Sequence, residues 1–496
     1  MLVELSWPPG FYASGTVNQA AGRWHDGNLV RFFAGAVRPW GGWIKHAEDA
    51  LSGKCRALLT WTDNSAARWI AAGTHLKLYI LNRAGDVFDI TPADLAPGLG
   101  EAATGGGFGD ETFGGGDYGE TTGDPDLVQP ATVWSLDTFG ENLIGLNNAD
   151  GRLFKWTLDP DTPAALVAAA PTNNHALVVT ETAHILLLGA GGDRRCVQWC
   201  DAEDETNWTP GLPSEAGSFP LQTGGVLMCG RRANGGTLLL TDQDAWMATY
   251  NGGANPFSFA QVGTGCGAIS QGAAVAAGTT LVAWMGTDGF WSYAGAVEGI
   301  ACEVQDRVFS GLNRTRASQV SGYHRQQFGE IVWHYPSALA DEPDRYVVWN
   351  YRENHWASGA LARTCGADRG AFPYPLAADS AGYVYRQETG FDYEGAQPFI
   401  ESGPVQFADA GETPGERVFT ALDLIPDEAT LGDVQASFYG RFQPTGEESL
   451  FGPYEAANPT NVRFTARHVR LRLSGRSAAD WRVGRFKLDI QLGGER

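Results

Sequence analysis

Gly286-Thr-Asp-Gly-Phe-Trp-Ser-Tyr293 sets the pair Asp288-Gly289 directly against an alternating aromatic run. An Asp-Gly pair beside alternating apolar positions is a strong hairpin signal, because Gly accepts the backbone geometry of a tight turn. The pattern recurs at Arg83-Ala-Gly-Asp-Val-Phe-Asp-Ile90, Ala149-Asp-Gly-Arg-Leu-Phe-Lys-Trp156 and Asp379-Ser-Ala-Gly-Tyr-Val-Tyr385. One hairpin unit copied along a chain predicts a radial β-repeat. Between residues 55 and 390 seven such units follow one another at roughly 40–50 residues, the size of a propeller blade. The first is the clearest, with runs at Ala57–Trp61, Arg68–Ala71, Leu76–Leu81 and Val87–Ile90. The expectation is an all-β chain with a β-propeller of about seven blades. Six or eight also fit, since first and last strands often share a blade.

Composition agrees with that class. The 496 residues include 17 Trp, 24 Phe and 15 Tyr, which favour strands, and 65 Gly and 25 Pro, which favour turns. No long window carries helical periodicity. Residues 1–54 read as an N-terminal segment lending strands to the propeller or its platform, with Val30, Phe32 and Val37 flanking an Ala34-Gly35 turn. Residues 391–496 change character. Runs such as His468-Val-Arg-Leu-Arg-Leu473 and Phe486-Lys-Leu-Asp-Ile490 alternate cleanly, which predicts a C-terminal β-sandwich-like domain.

Two stretches stand apart as candidate sites. Residues 98–126 are rich in Gly and carry Glu101, Asp110, Glu111, Asp117, Glu120, Asp124 and Asp126 with no Lys or Arg. Such a segment buries little apolar area and reads as an insertion between blades. It is either a surface loop or an arm reaching a neighbouring subunit or a channel. From Arg463 to Lys487, eight basic residues face only Asp480, a local charge of +7 on a chain of net −22. Arg463, Arg467, Arg470 and Arg472 are the candidate docking patch there, against the plainer reading of a solvated outer face. Arg470 and Arg472, two apart on a strand, share a face, with Val469, Leu471 and Leu473 opposite.

The net charge excludes a sequence-independent nucleic-acid binder, which would be basic. Catalytic motifs are missing: no Gly-x-Ser-x-Gly elbow, no phosphate loop, no paired-His zinc helix. Most acids sit in turns, where Asp serves backbone geometry. Thr287-Asp-Gly-Phe-Trp only half echoes a sialidase repeat. The nine His are scattered, and Cys196 and Cys200 lack further ligands for zinc. No catalytic residue, metal or cofactor is expected, and the chain is read as a non-enzyme. Seven Cys without close pairing are expected as free, mostly buried thiols of a protein made in a reducing cytoplasm. Met1-Leu-Val-Glu-Leu-Ser-Trp-Pro-Pro9 carries no signal-peptide pattern, and no membrane insertion is expected.

Gly10-Phe-Tyr12, Gly22-Arg-Trp-His-Asp-Gly-Asn-Leu-Val-Arg-Phe32 and Pro39-Trp-Gly-Gly-Trp43 resemble the start of short-tailed bacteriophage tail nozzle or hub proteins, the packaged-DNA stabilisation family. Arg194-Arg-Cys-Val-Gln-Trp-Cys-Asp-Ala-Glu-Asp-Glu-Thr-Asn-Trp208, Gly286–Trp291, Val348-Trp-Asn-Tyr-Arg-Glu-Asn-His-Trp356 and Asp480-Trp-Arg-Val-Gly484 extend the likeness over most of the chain. The motifs are structural, so no chemistry is carried over. The resemblance implies a virion tail protein, assembled in the host cytoplasm as a homo-hexamer. It would lie below the portal and adaptor (head-to-tail connector) and meet tail fibre or needle proteins. It would extend the channel, retain packaged genome and let double-stranded DNA pass without sequence-specific contact. A mostly acidic lumen would let the duplex slide. The alternative is a receptor- or glycan-binding propeller of the tail.

Overall fold

The computed structural model describes residues 1–104, 128–253, 255–407, 417–443, 446–476 and 479–495. Its centre is a β-propeller. Among the described residues, seven four-stranded antiparallel sheets follow in chain order. Their innermost strands are Cys55–Thr62, Trp134–Phe139, Ala176–Val179, Leu227–Ala233, Ala274–Ala277, Ser321–Arg325 and Cys365–Ala367, numbered here as blades 1 to 7. Each lies beside the innermost strand of the next blade, and that of blade 7 lies beside that of blade 1, so the ring is shut.

Closure uses the beginning of the chain. The outermost strand of blade 7 is Trp43–Lys45, antiparallel to Val384–Gln387 with Tyr385 opposite Lys45 and Gln387 opposite Trp43. Blade-to-blade walls are apolar. Blades 1 and 2 meet through Trp61, Ile80, Trp134 and Trp156, and blades 3 and 4 through Val178, Trp199, Leu239 and Phe257. Buried Trp side chains find acceptors on neighbouring backbone: Trp134 Nε1 donates to Thr74 O at 2.8 Å and Trp333 Nε1 to Ala273 O at 2.7 Å. This satisfies the indole while its ring fills the wall. Innermost strands crowd so closely that a Cβ on Gly366 would stand 2.6 Å from the Tyr323 ring.

The second body is a sandwich of two sheets. One orders Leu2–Leu5, Phe486–Glu495, Arg417–Pro426 and Thr460–Ala466, and the other orders Trp24–Asn28, Phe399–Ser402, His468–Gly475, Val434–Arg441 and Ser449–Glu455. Both take a strand from the N-terminal segment. Phe438 and Phe464 pack across the interior with ring centroids 4.8 Å apart and planes tilted by 35°. The sandwich interior runs without a break into blades 5 and 6: Phe438, Leu471 and Ile490 belong to the same buried cluster as Trp333, Trp349 and Trp356.

The described ends of the segment expected as an insertion are held by backbone bonds. Gly98 N–H donates to His75 O at 2.8 Å, Thr132 N–H donates to Leu99 O at 2.9 Å, and Ala103–Thr104 pairs with Val128–Gln129. The first of these bonds ties the segment to blade 1, and the other two tie its two ends to each other.

Candidate functional site

The N-terminal motif Leu29-Val-Arg-Phe-Phe33 places an arginine inside an apolar run. It folds as a hairpin, Val30–Phe33 against Ala36–Pro39, turning through Ala34 and Gly35, both at positive φ. The hairpin is wedged between the two bodies. On the sandwich side Val37 and Val483 exchange backbone hydrogen bonds of 3.0 and 2.9 Å. On the propeller side Leu29 N–H donates to Tyr346 Oη at 2.8 Å, and the rings of Trp40 and Tyr346 lie 4.4 Å apart. The chain before it adds two more ties to blade 6: Phe11 N–H to Trp356 O at 2.7 Å and Ala360 N–H to Asn28 Oδ1 at 2.8 Å. Segments 10–43 and 348–356 therefore meet at this joint.

At its centre is a buried group of four charges. Arg31 Nε donates to Glu330 Oε1 at 3.1 Å and its Nη1 to Glu388 Oε2 at 2.8 Å. Arg325 Nη1 donates to Glu388 Oε1 at 3.2 Å, and its Nη2 to Tyr323 Oη at 2.6 Å. The second oxygen of the Glu388 carboxylate also accepts Gly41 N–H at 2.8 Å. Guanidinium faces rest on rings, Arg31 3.5 Å above Phe328 and Arg325 3.9 Å above Trp40. Side-chain exposure is 5 % for Arg31, 3 % for Glu330, 1 % for Arg325 and 9 % for Glu388. Two cations against two anions leave no net charge. That balance offsets the large cost of removing each ion from water, and geometry this complete is needed for it to do so. Burial alone would push the Glu388 carboxyl up, but the charges and hydrogen bonds of Arg31, with Arg325, outweigh it and hold it below the usual carboxylate range. The sequence signal for this group was Arg31 between Val30 and Phe32. Its partners, about 300 and 357 residues away, gave none.

His334, stacked flat on Tyr323 with centroids 5.9 Å apart, lies behind the group. Burial, with the charges of Arg325 and Arg363, pushes its pKa down to about 3, so it stays neutral.

Of the acidic insertion residues, Glu101 is described: it pairs with Lys54 and stands 3.5 Å from Arg316. Asp110, Glu111, Asp117, Glu120, Asp124 and Asp126 lie outside the described residues. The four candidate docking arginines do not share one surface. Arg470 and Arg472 face out from the five-stranded sheet, where Arg470 meets Glu401 and Glu448 at 2.7 and 2.6 Å and Arg472 meets Glu401 at 2.8 Å. Arg463 alternates with buried Val462 and Phe464, so it faces out from the other sheet. Arg467 sits between the two strands.

The innermost strands enclose a cavity of about 590 Å³ along the propeller axis. Arg56, Arg231 and Arg232 line it, as do Asp137, Glu181 and Asp368. Arg232 pairs with Asp137 at 2.7 Å and His324 with Asp368 at 2.8 Å. This is the room of a small-molecule pocket, not of a duplex. Among the described residues, no group of three His, Cys, Asp or Glu is placed to hold a metal ion, and no helix is long and apolar enough to cross a membrane.

No protein-family model matches the chain, and no curated protein matches it. Solved structures do. The selenomethionine-substituted virginiamycin B lyase of Staphylococcus aureus aligns at 5 % identity and a TM-score of 0.43, over 70 % of this chain and 97 % of that one. A streptogramin B lyase aligns at 8 % identity and a TM-score of 0.40, over 70 % and 96 %. The class the sheets define is an all-β propeller with extra sheets from the chain ends. The lyases are similar to it in fold, and at such identities the likeness carries nothing about activity.

Proposed function

We propose that this chain is a structural subunit of a short-tailed phage tail, a nozzle or hub that assembles with sister copies into a ring around the exit channel for DNA. The observation that carries the reading is the joint. The motifs at 10–43 and 348–356 that resemble the nozzle family meet where propeller and sandwich are welded, through continuous apolar packing and the buried Arg31, Glu330, Arg325 and Glu388 group. A wall that must hold pressurised DNA needs bodies that do not flex against each other, and a buried, fully paired joint supplies that. The propeller's own cavity is too small for a duplex, so DNA runs through the ring of subunits. Acidic residues outnumber basic ones on that lumen.

The test is an image of the particle tail with this protein labelled. Label in a ring between the head connector and the tail tip supports the proposal. Label on fibres, no label in virions, or a lumen lined mostly by Arg overturns it.

A second reading, glycan or receptor binding, is favoured by one patch. Phe219 and Phe259 stack at 4.9 Å on the outer strands of blades 3 and 4, and Tyr250 nearby is also exposed. Flat aromatic faces of this kind suit sugar rings. Binding on a glycan array that is lost in Phe219→Ala supports this reading over the first.

A further inference from the structure

The seam where the propeller shuts holds two thiols. Cys55 opens the innermost strand of blade 1, and Cys365, 310 residues later, opens that of blade 7. Their Sγ atoms stand 3.8 Å apart, the one thiol–thiol contact among the described residues, and all seven cysteines are reduced. Both side chains are buried, and Cys365 lines the axial cavity, which gives a small diffusible molecule a route to it. We infer that Cys55 and Cys365 are a disulfide site that closes when the protein meets a peroxide-class oxidant, bonding blade 7 to blade 1 across the seam.

Two observations separate this from ordinary packing of small residues. The chain runs directly from each blade to the next, including from Trp43–Lys45 of blade 7 to Cys55 of blade 1. Blade 7 alone is built from two separate stretches of chain, and its outermost strand is held to the rest by a three-pair ladder, Tyr385 with Lys45, Arg386 with Ile44 and Gln387 with Trp43. A bond between Cys55 and Cys365 would bypass that ladder. The approach needed is also small. An S–S bond is about 2.05 Å, so the sulfurs close by roughly 2 Å, within reach of side-chain rotation on adjacent strands.

The chemistry balances with hydrogen peroxide as the oxidant. The Cys365 thiol, as thiolate, attacks one peroxide oxygen. The O–O bond breaks, hydroxide leaves and takes up the thiol's proton as water, and Sγ–OH remains. Cys55 Sγ then attacks that sulfur. The S–S bond forms, the S–O bond breaks, and a second water leaves with the Cys55 proton. Two thiols give up two electrons and one peroxide becomes two waters. Burial, with the hydrogen bond and charge of Cys55, holds the Cys365 thiol well above the ordinary range, so the reaction is slow and asks for hours of exposure.

The experiment treats the full folded chain with hydrogen peroxide, blocks remaining thiols under denaturing conditions, and maps peptides by mass spectrometry. The expected result is a peptide pair linked through Cys55 and Cys365, abolished by dithiothreitol. With it comes a thermal midpoint raised by several degrees in treated protein but not in Cys55→Ser. If Cys55→Ser does not fold, Cys55→Ala and the treated-against-untreated comparison give the same readout. The inference fails if no such pair forms at a dose that oxidises the half-buried Cys196 or Cys302, or if Cys55 links to a different cysteine.

Discussion

Arg31 at the joint and Arg470 on the sandwich's outer sheet each bind two carboxylates, yet they do different work. Arg31 and its partners are almost wholly removed from water, whereas Arg470, Glu401 and Glu448 keep 20, 11 and 25 % of their side-chain surface. In water-poor surroundings each ion depends on the other for nearly all its compensation, so removing one leaves a stranded charge. At the half-open site water takes over much of that role. The same residue types thus make a rigid joint in one place and a solvated surface in the other.

Four measurements break or sharpen this contrast. Glu388→Gln keeps the shape of the joint but leaves Arg31 and Arg325 with the single carboxylate of Glu330 between them, and is expected to cost about 3–5 kcal/mol, read as a large fall in the denaturant midpoint. A cost near zero would mean water reaches the group.

Acid comes next. Burial, with Arg194, holds His175 neutral with a pKa of about 4, as burial with Arg325 and Arg363 holds His334 at about 3. An unfolded chain protonates these histidines below about pH 6.5. The fold does not, so stability falls as pH drops from there towards the folded values, by ~3 kcal/mol for His334 at pH 4. The depressed Glu388 adds to this lower down: its contribution is intact above the ordinary carboxylate range and is lost as pH falls through its folded value. Thermal midpoints across pH 8 to 4 check both, and His334→Gln should flatten the upper part of the slope.

Tyr346→Phe is smaller. It leaves the buried Leu29 N–H without its 2.8 Å acceptor, a loss of about 1–3 kcal/mol. Smallest is Arg470→Ala, expected near 1 kcal/mol and weakened further by salt, while the Glu388→Gln effect stays constant as salt rises. An Arg470→Ala loss matching that of Glu388→Gln would erase the distinction.

The legible parts of the fold were those whose side chains advertise themselves. Leu153–Trp156, Phe290–Tyr293 and Arg345–Asn350 carry aromatic or β-branched residues because they fill the walls between blades. Several innermost strands carry no such signal. Ala274–Ala277 and Cys365–Ala367 are made of small residues because they crowd at the axis, and Ser321–Arg325 mixes polar groups that face the cavity. Strand propensity had nothing there to register. The Arg31 group was hidden for another reason: hydrophobic period reports on neighbours in sequence, and this group unites residues from three distant segments. Local charge counts carry the same limit, since a run of arginines on successive strands is divided between the two sheets of a sandwich.

Leu2 pairs with Asp489 and Trp43 with Gln387, which sets a timetable for the cell. The strand at Leu2–Leu5 has no permanent place until the residues around Asp489 exist. At about 5–20 residues per second, making the stretch between them takes roughly half a minute or more. Throughout that interval the early strand is unclaimed, so a chaperone has its best opportunity before its partner strand emerges.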